Sequence, residues 1–320
     1  MGAGVLFALS AGLMWGLVFV APLLLSDYPA VLLSFGRYLA FGLIALPLAW
    51  LDRARLATLR RADWVEAAKL AVVGNIVYYL LLASAIQRAG APLPTMIIGT
   101  LPVVIAISSN LRDHQRDGRL PWLRLLPSLA LIGAGIALVN RVEIARLHAD
   151  TRADLAHYAV GALLAVGAVA CWTWYPLRNA DWLRAHADRA PSTWATAQGI
   201  ATLPLALLGY LGWWAWSAWS GSPFAMPWGP RPGPFVALMF AVGLLASWLG
   251  TLCWNEASQR LPTTLVGQLI VFETLSALAY AFVLRGALPE AATLLGIALL
   301  VAGVLWALRV RPEPVVAHGA

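Results

Sequence analysis

Residues 4–15 read GVLFALSAGLMW, and residues 161–172 read GALLAVGAVACW. Gly4, Leu6, Ala8, Ala11 and Trp15 return as Gly161, Leu163, Ala165, Ala168 and Trp172. One pattern found twice, half a chain apart, points to an internal duplication, and that decides how every later segment is read. Each copy opens a run of five hydrophobic stretches. Five is odd, so if both runs cross a membrane fully, the second crosses in the opposite sense. Such inverted repeats characterise secondary carriers, whose substrate sites lie near the midplane between the halves.

The bulk composition agrees with membrane insertion. Of 320 residues, 61% are hydrophobic and 12% charged, too apolar for an ordinary soluble domain. Stretches long enough to cross a hydrocarbon core of about 30 Å occur at 3–25, 29–51, 64–86, 91–111 and 121–140, and again at 157–177, 192–218, 234–257, 264–284 and 288–308. The expected fold is therefore an all-α integral membrane protein of ten transmembrane helices, with residues 1–150 as the first five-helix repeat and 151–320 as the second, inverted one. The first stretch lacks the basic start and cleavage site of a signal peptide, so it is read as a retained helix. Leu6 occupies the place where a myristoylation signal needs Ser or Thr, so no lipid anchor is expected.

The net charge of +7 does not imply a nucleic-acid partner. With the amino terminus placed in the cytoplasm, 14 of the 22 basic residues fall in inner loops and 6 in outer loops, leaving Arg37 and Lys69 inside spans. That bias places both termini in the cytoplasm. Cys171 and Cys253 both fall inside spans and read as small packing residues.

Two further matches support the duplication. Ala85, Gln87 and Arg88 correspond to Ala257, Gln259 and Arg260, and Ala134-Gly135 corresponds to Ala302-Gly303, where small residues let helix backbones approach closely. Loops are short, so function must reside in the helix bundle. The loop between spans 7 and 8 holds Pro223, Pro227, Pro230, Pro232 and Pro234 and is expected to be irregular, and the tail after Arg311 to be disordered. Prolines at or within spans, such as Pro22, Pro47, Pro102, Pro176 and Pro204, give helices places to bend.

Eleven of the 16 tryptophans, including Trp182 and Trp194, lie at span ends or in adjoining loops and read as interfacial anchors. The deeper five are Trp15, Trp172, Trp174, Trp248 and Trp254, candidate walls of a cavity. Ionisable groups deep in a span are costly in lipid and mark functional candidates. Arg37 in span 2 and Glu273 in span 9 both fall near the midplane. Either Arg37 reads a substrate carboxylate while Glu273 reads an ammonium group or carries a coupling proton, or the two form a structural ion pair. Lys69 and Glu256 lie nearer the span ends and read as interfacial, with Glu66 one turn before Lys69.

Mixed aromatic and amide faces recur in three spans. Asn75, Tyr78 and Tyr79 share a face of span 3; Trp172, Tyr175 and Asn179 share one of span 6; Trp248, Thr251 and Asn255, with Trp254 alongside, share one of span 8. Such faces suit a cavity for flat apolar ligands with polar ends, and they equally suit interhelical hydrogen bonding. The histidines show no metal-ligand spacing and no phosphate-binding glycine loop occurs, so no catalytic residue, cofactor or metal is predicted. Primary ATP-driven transport is disfavoured on the same ground.

Trp15 with Gly16, Trp172, Arg37 and Pro102, set in this topology, resemble the EamA-type drug/metabolite transporter superfamily. Within it, Cys171 to Asn179, Trp254-Asn255, Phe272 and Leu275-Ser276-Ala277-Leu278 are most similar to bacterial aromatic amino-acid exporters. The resemblance implies a multi-pass protein of the bacterial inner membrane with a central, largely hydrophobic cavity. One departure is that relatives often carry a proline in span 9 matching Pro102, where this chain has Thr274. The expected activity is alternating-access export of a small molecule, with aromatic amino acids foremost and other amphipathic metabolites or aromatic cations behind. A gated channel or facilitator for small metabolites is the competing class. The expected partners are the substrate, the bilayer and, with coupling, a proton; the oligomeric state is not legible.

Overall fold

The computed structural model describes residues 2–90, 92–112, 121–148, 155–286, 288–307 and 309–310. Arg116, Arg119, Arg152, His114, His318 and the tail from Arg311 lie outside the described residues. The described secondary structure is helical. Among the described residues, seven helical runs are long and apolar enough to cross a membrane: Gly2–Leu24, Ala30–Leu51, Arg61–Ala89, Ala156–Ala185, Pro191–Trp219, Pro232–Arg260 and Leu265–Leu284. Helices also cover Pro92–Ile98, Leu101–Arg112, Trp122–His148 and Ala291–Ala307. Several helices outrun their apolar stretches because backbone hydrogen bonding continues through a charged terminal turn. Arg61–Leu70 begins in this way, with the Asp63 carboxylate accepting from the backbone N–H of Arg60 at 2.7 Å.

The packing partners follow a reciprocal pattern. The first helix lies against Gly250–Arg260, the third helix of the second half, while Leu155–Ala185, the first helix of that half, lies against Tyr78–Ala89 in the third of the first. The second helices of the halves, Ala30–Leu51 and Pro191–Trp219, pack on one another, and so do Trp122–His148 and Ala291–Ala307. The last pair meets through small residues. A Cβ on Gly135 would lie 2.5 Å from the Gly296 carbonyl, and one on Gly303 would lie 2.9 Å from that of Ser128. Without a hydrophobic force between helices in lipid, this close backbone contact supplies the attraction.

Irregular turns also recur in pairs. A π-helical segment, Ala71–Val77, interrupts the third helix of the first half, and Gly243–Leu249 interrupts its counterpart. They start 172 residues apart, the offset that separates Gln87 from Gln259. Each faces the second helix of the opposite half. The fourth helices are likewise broken, between Ile98 and Leu101 in one and at Ile270 in the other. The second break arises without the proline of the first. At Ile270 a single tight turn, Glu273 N–H donating to the Ile270 carbonyl at 2.9 Å, begins the next helix.

At one end of the bundle Tyr28 ties several elements together. Its ring stacks on Phe235 at 4.8 Å and its hydroxyl donates to the Trp228 carbonyl at 2.9 Å. Beside it Arg231 donates to both carboxylate oxygens of Asp27. These hydrogen bonds hold the Asp27 carboxyl below the usual carboxylate range. The stabilisation from this pair is therefore present above the ordinary carboxylate pKa of about 3.9 and is lost as pH falls through the lowered value. The Pro-rich connection is irregular over 220–231, but Pro232 and Pro234, expected in the same loop, instead open the helix Pro232–Val242, whose first turn tolerates the missing N–H of proline.

Candidate functional site

Trp172 and Tyr175 sit three residues apart on one helix and project from one face. Trp172 stacks between Tyr78, at 4.4 Å and 14°, and Tyr175, at 5.0 Å and 9°. Trp15 meets the edge of Trp172 at 4.9 Å, and Trp254 lies 5.0 Å from Trp15. The two tryptophans of the opening repeat are thus in contact. None of these five rings is more than 5% exposed, so in this conformation they pack on one another.

Glu273 lies against this stack. It is 1% exposed and sits in the first turn of Val271–Arg285, just after the break at Ile270. Its Oε2 accepts from Trp172 Nε1 at 3.0 Å and its Oε1 from the Tyr78 hydroxyl at 3.3 Å. Both donors are neutral. Gly12 holds the amino-terminal helix tightly to this turn, for a Cβ there would lie 3.0 Å from the Glu273 backbone nitrogen.

Arg37 is 4% exposed and reaches the same region from the second helix. Its Nε donates to Ser247 Oγ at 2.9 Å, and its guanidinium lies over the rings of Tyr79 at 4.5 Å and Tyr38 at 4.9 Å. Trp15 Nε1 donates to the carbonyl of Ala246, the residue before Ser247, at 2.9 Å. Arg37 and Glu273 are within electrostatic reach of one another, yet their hydrogen bonds go to other groups. A direct ion pair is not the arrangement found.

The other residues singled out in the sequence turn elsewhere. Asn75 donates to Thr202 Oγ1 at 3.1 Å, Trp248 to Thr196 Oγ1 at 3.2 Å, and Tyr79 to the Val18 carbonyl at 3.1 Å. Asn255 accepts from Asn179 at 2.8 Å and donates to the Pro191 carbonyl at 3.2 Å. These four are engaged in bonds between helices. The centre therefore comprises a ring stack, one carboxylate and one guanidinium. Such a set can stack on a flat apolar group, bind an anion, and bind an ammonium group or hold a proton. Among the described residues no group of three or more His, Cys, Asp or Glu is placed to hold a metal ion.

Residues 2–141 match the EamA-like transporter family. Over 311 residues the chain is 56% identical to the inner membrane protein YtfF of Escherichia coli (strain K12), covering 97% of this chain and 96% of that protein. The chain belongs to the EamA-like transporter family. A crystal structure of a protein sharing 18% identity superposes with a TM-score of 0.69, covering 95% of this chain and 96% of the other, and so shares the fold. As an EamA-like chain with these apolar helices, it is a multi-pass protein of the inner membrane. Family and relative both point to transport rather than catalysis.

In this EamA-like chain Trp182 and Trp194 are not the interfacial anchors that their span-end positions predict. Trp194 is 0% and Trp182 7% exposed, and their rings stack at 3.5 Å with His186 against the far face of Trp182 at 4.4 Å. An indole near a polar helix end seeks headgroups for its N–H unless protein acceptors take that role. Here Asp63 accepts from Trp182 at 2.9 Å and Asn179 from Trp194 at 2.8 Å. Asn179 also accepts from Gln198 at 3.1 Å, and the Tyr175 hydroxyl donates to Gln198 at 2.7 Å. A buried polar chain thus links the ring stack to the start of Pro191–Trp219. Gln198 and Ser247 carried no sequence signal, being single polar residues among small ones.

At that end Arg178 donates to both oxygens of Glu66, at 2.5 and 3.1 Å, and Lys69 lies 3.7 Å from the same carboxylate. The pair joins the two halves, but the Arg178 side chain is 46% exposed. A double-mutant cycle of Glu66→Gln and Arg178→Gln, read by reversible unfolding, is expected to give a coupling of no more than about 1 kcal/mol. A coupling above about 2 kcal/mol would show that the pair is shielded from water and acts as a strong clamp.

Proposed function

We propose that this chain is a secondary carrier that exports amphipathic metabolites, aromatic amino acids foremost, across the inner membrane by alternating access. In this reading it has ten crossings as two inverted five-helix halves, 1–150 and 151–320, with both termini cytoplasmic. The reciprocal helix pairing and the paired π segments support the duplication. The observation that carries the proposal is Glu273, a buried carboxylate within a membrane helix, held by neutral donors and facing a stack of aromatic rings. A carboxylate so placed is expensive unless it meets an ammonium group or a proton during a cycle. Arg37, at the same level, serves the carboxylate end of the substrate. The cycle separates the halves around the ring stack, opening it first to one face and then to the other.

The test is counterflow of labelled aromatic amino acids in proteoliposomes, with and without a pH gradient. Saturable counterflow is expected, and Glu273→Gln is expected to lower its rate at least ten-fold and to flatten its pH dependence. Non-saturating flux without counterflow would replace the carrier with a channel. An unchanged rate and pH profile in Glu273→Gln would remove this residue from the mechanism.

A further inference from the structure

Two buried donors on adjacent residues of the second helix have no hydrogen-bond partner among the described residues: Arg37 Nη1 and the hydroxyl of Tyr38. Tyr38 is 0% exposed, so water does not reach it from outside the fold. A buried polar atom without a partner is uncommon and calls for an explanation, and a guanidinium N–H can be satisfied only by an acceptor. The surroundings supply further donors and rings. The Tyr38 ring meets that of Tyr79 edge-on at 6.2 Å, and its hydroxyl is within electrostatic reach of those of Tyr78 and Tyr175, which border Trp172. Arg37 itself is fixed on its other side, since its Nε is committed to Ser247 at 2.9 Å in the π segment Gly243–Leu249 and its plane rests on two tyrosine rings. One edge of the guanidinium is anchored and a nitrogen on its other edge is unmatched.

We infer that Arg37 Nη1 and the Tyr38 hydroxyl form a two-donor subsite for the carboxylate of the transported molecule, with Ser247 positioning Arg37. This inference rests on the carrier reading above and adds to it a second binding residue and a chemical selection. The carboxylate docks on the second helix while the apolar part of the molecule meets the Tyr78–Trp172–Tyr175 stack. The subsite selects for a carboxylate and discriminates against amines of the same shape. A charge-assisted hydrogen bond is worth more than a neutral one, so even the tyrosine hydroxyl contributes measurably.

Three probes of similar shape test this on the purified full-length protein: L-phenylalanine, 3-phenylpropionate, which lacks the amine, and phenethylamine, which lacks the carboxylate. Tyr38→Phe preserves the ring and its packing. It is expected to weaken binding of the two carboxylates roughly three- to ten-fold, and Arg37→Gln by more than ten-fold, with the loss confined to the carboxylates. An equal loss for all three probes in Tyr38→Phe would mean a structural role for the hydroxyl and overturn the inference. Failure of the wild-type protein to bind either carboxylate would overturn it too. In that case saturable counterflow of phenethylamine would leave the carrier reading standing, whereas absence of counterflow for all three probes would remove both.

Discussion

Replacing Trp172 with alanine is expected to cost about 3 kcal/mol of stability and to abolish transport. The indole is 5% exposed, lies between Tyr78 and Tyr175, touches Trp15 and donates to Glu273. In a soluble core such a truncation costs about 3–5 kcal/mol, made up of a transfer loss and a cavity loss. In a membrane the transfer component largely vanishes, because the unfolded helix faces lipid that is as apolar as the bundle interior. The cavity component persists, since the ring's dispersion contacts are lost on every side. At about 24 cal/mol per Å³, the void left by an indole accounts for most of the expected loss. Trp172→Phe keeps a ring in the stack while removing the N–H that Glu273 accepts, and should cost about 1–2 kcal/mol. Reversible unfolding in mixed micelles measures both. A loss below about 1 kcal/mol for the alanine variant would show that the stack is not packed as described.

Asn179→Leu is expected to destabilise the protein by about 2–4 kcal/mol. Its Oδ1 accepts from Trp194 at 2.8 Å and Gln198 at 3.1 Å, and its Nδ2 donates to Asn255 at 2.8 Å, all away from solvent. A single interhelical hydrogen bond in a membrane protein averages about 0.6 kcal/mol and reaches about 1.7. One such bond is minor, but here one side chain serves three. Its loss leaves three polar groups buried without their partner, and each carries a desolvation penalty. The same physics predicts non-additivity. Asn255→Leu removes one of those three groups itself, so the double variant should cost less than the sum of the single ones. Strict additivity in the unfolding free energies would show that the two amides are not coupled.

The helices were largely legible from hydropathy. The stretch expected at 29–51 is Ala30–Leu51, and that expected at 192–218 is Pro191–Trp219. The stretch at 64–86 grew to Arg61–Ala89 because backbone hydrogen bonding carries the helix on through the polar and charged residues at its two ends, where mean hydropathy falls. The π segments were not legible, since seven residues wound more widely have the same composition as an ordinary turn. The break at Ile270 was hidden for a related reason: its tight turn uses backbone groups that every residue carries.

For the candidate site, the residue types were legible and the pairings were not. An ionisable group deep in a span marks itself by its cost, which is how Arg37 and Glu273 stood out. Their partners did not, because Ser247 lies 210 residues from Arg37 and Tyr78 lies 195 residues from Glu273. Trp182 and Trp194 show the converse error. Position along a helix places a tryptophan at a membrane interface, while only neighbouring helices determine whether Asp63 and Asn179 bury it instead.

The sequence by itself determined that this is a helical membrane protein and showed a pattern written twice, because the partition of side chains between lipid and water is a local property of composition and length. The tertiary structure decided what each polar atom within the bundle faces. It brought Trp15 onto Trp172, set Glu273 between an indole and a phenol, and left Arg37 Nη1 and the Tyr38 hydroxyl unmatched. The reason is that a hydrogen bond is satisfied or forfeited within about 3.5 Å. That distance is fixed by how helices far apart in the chain pack, which no single stretch of sequence records.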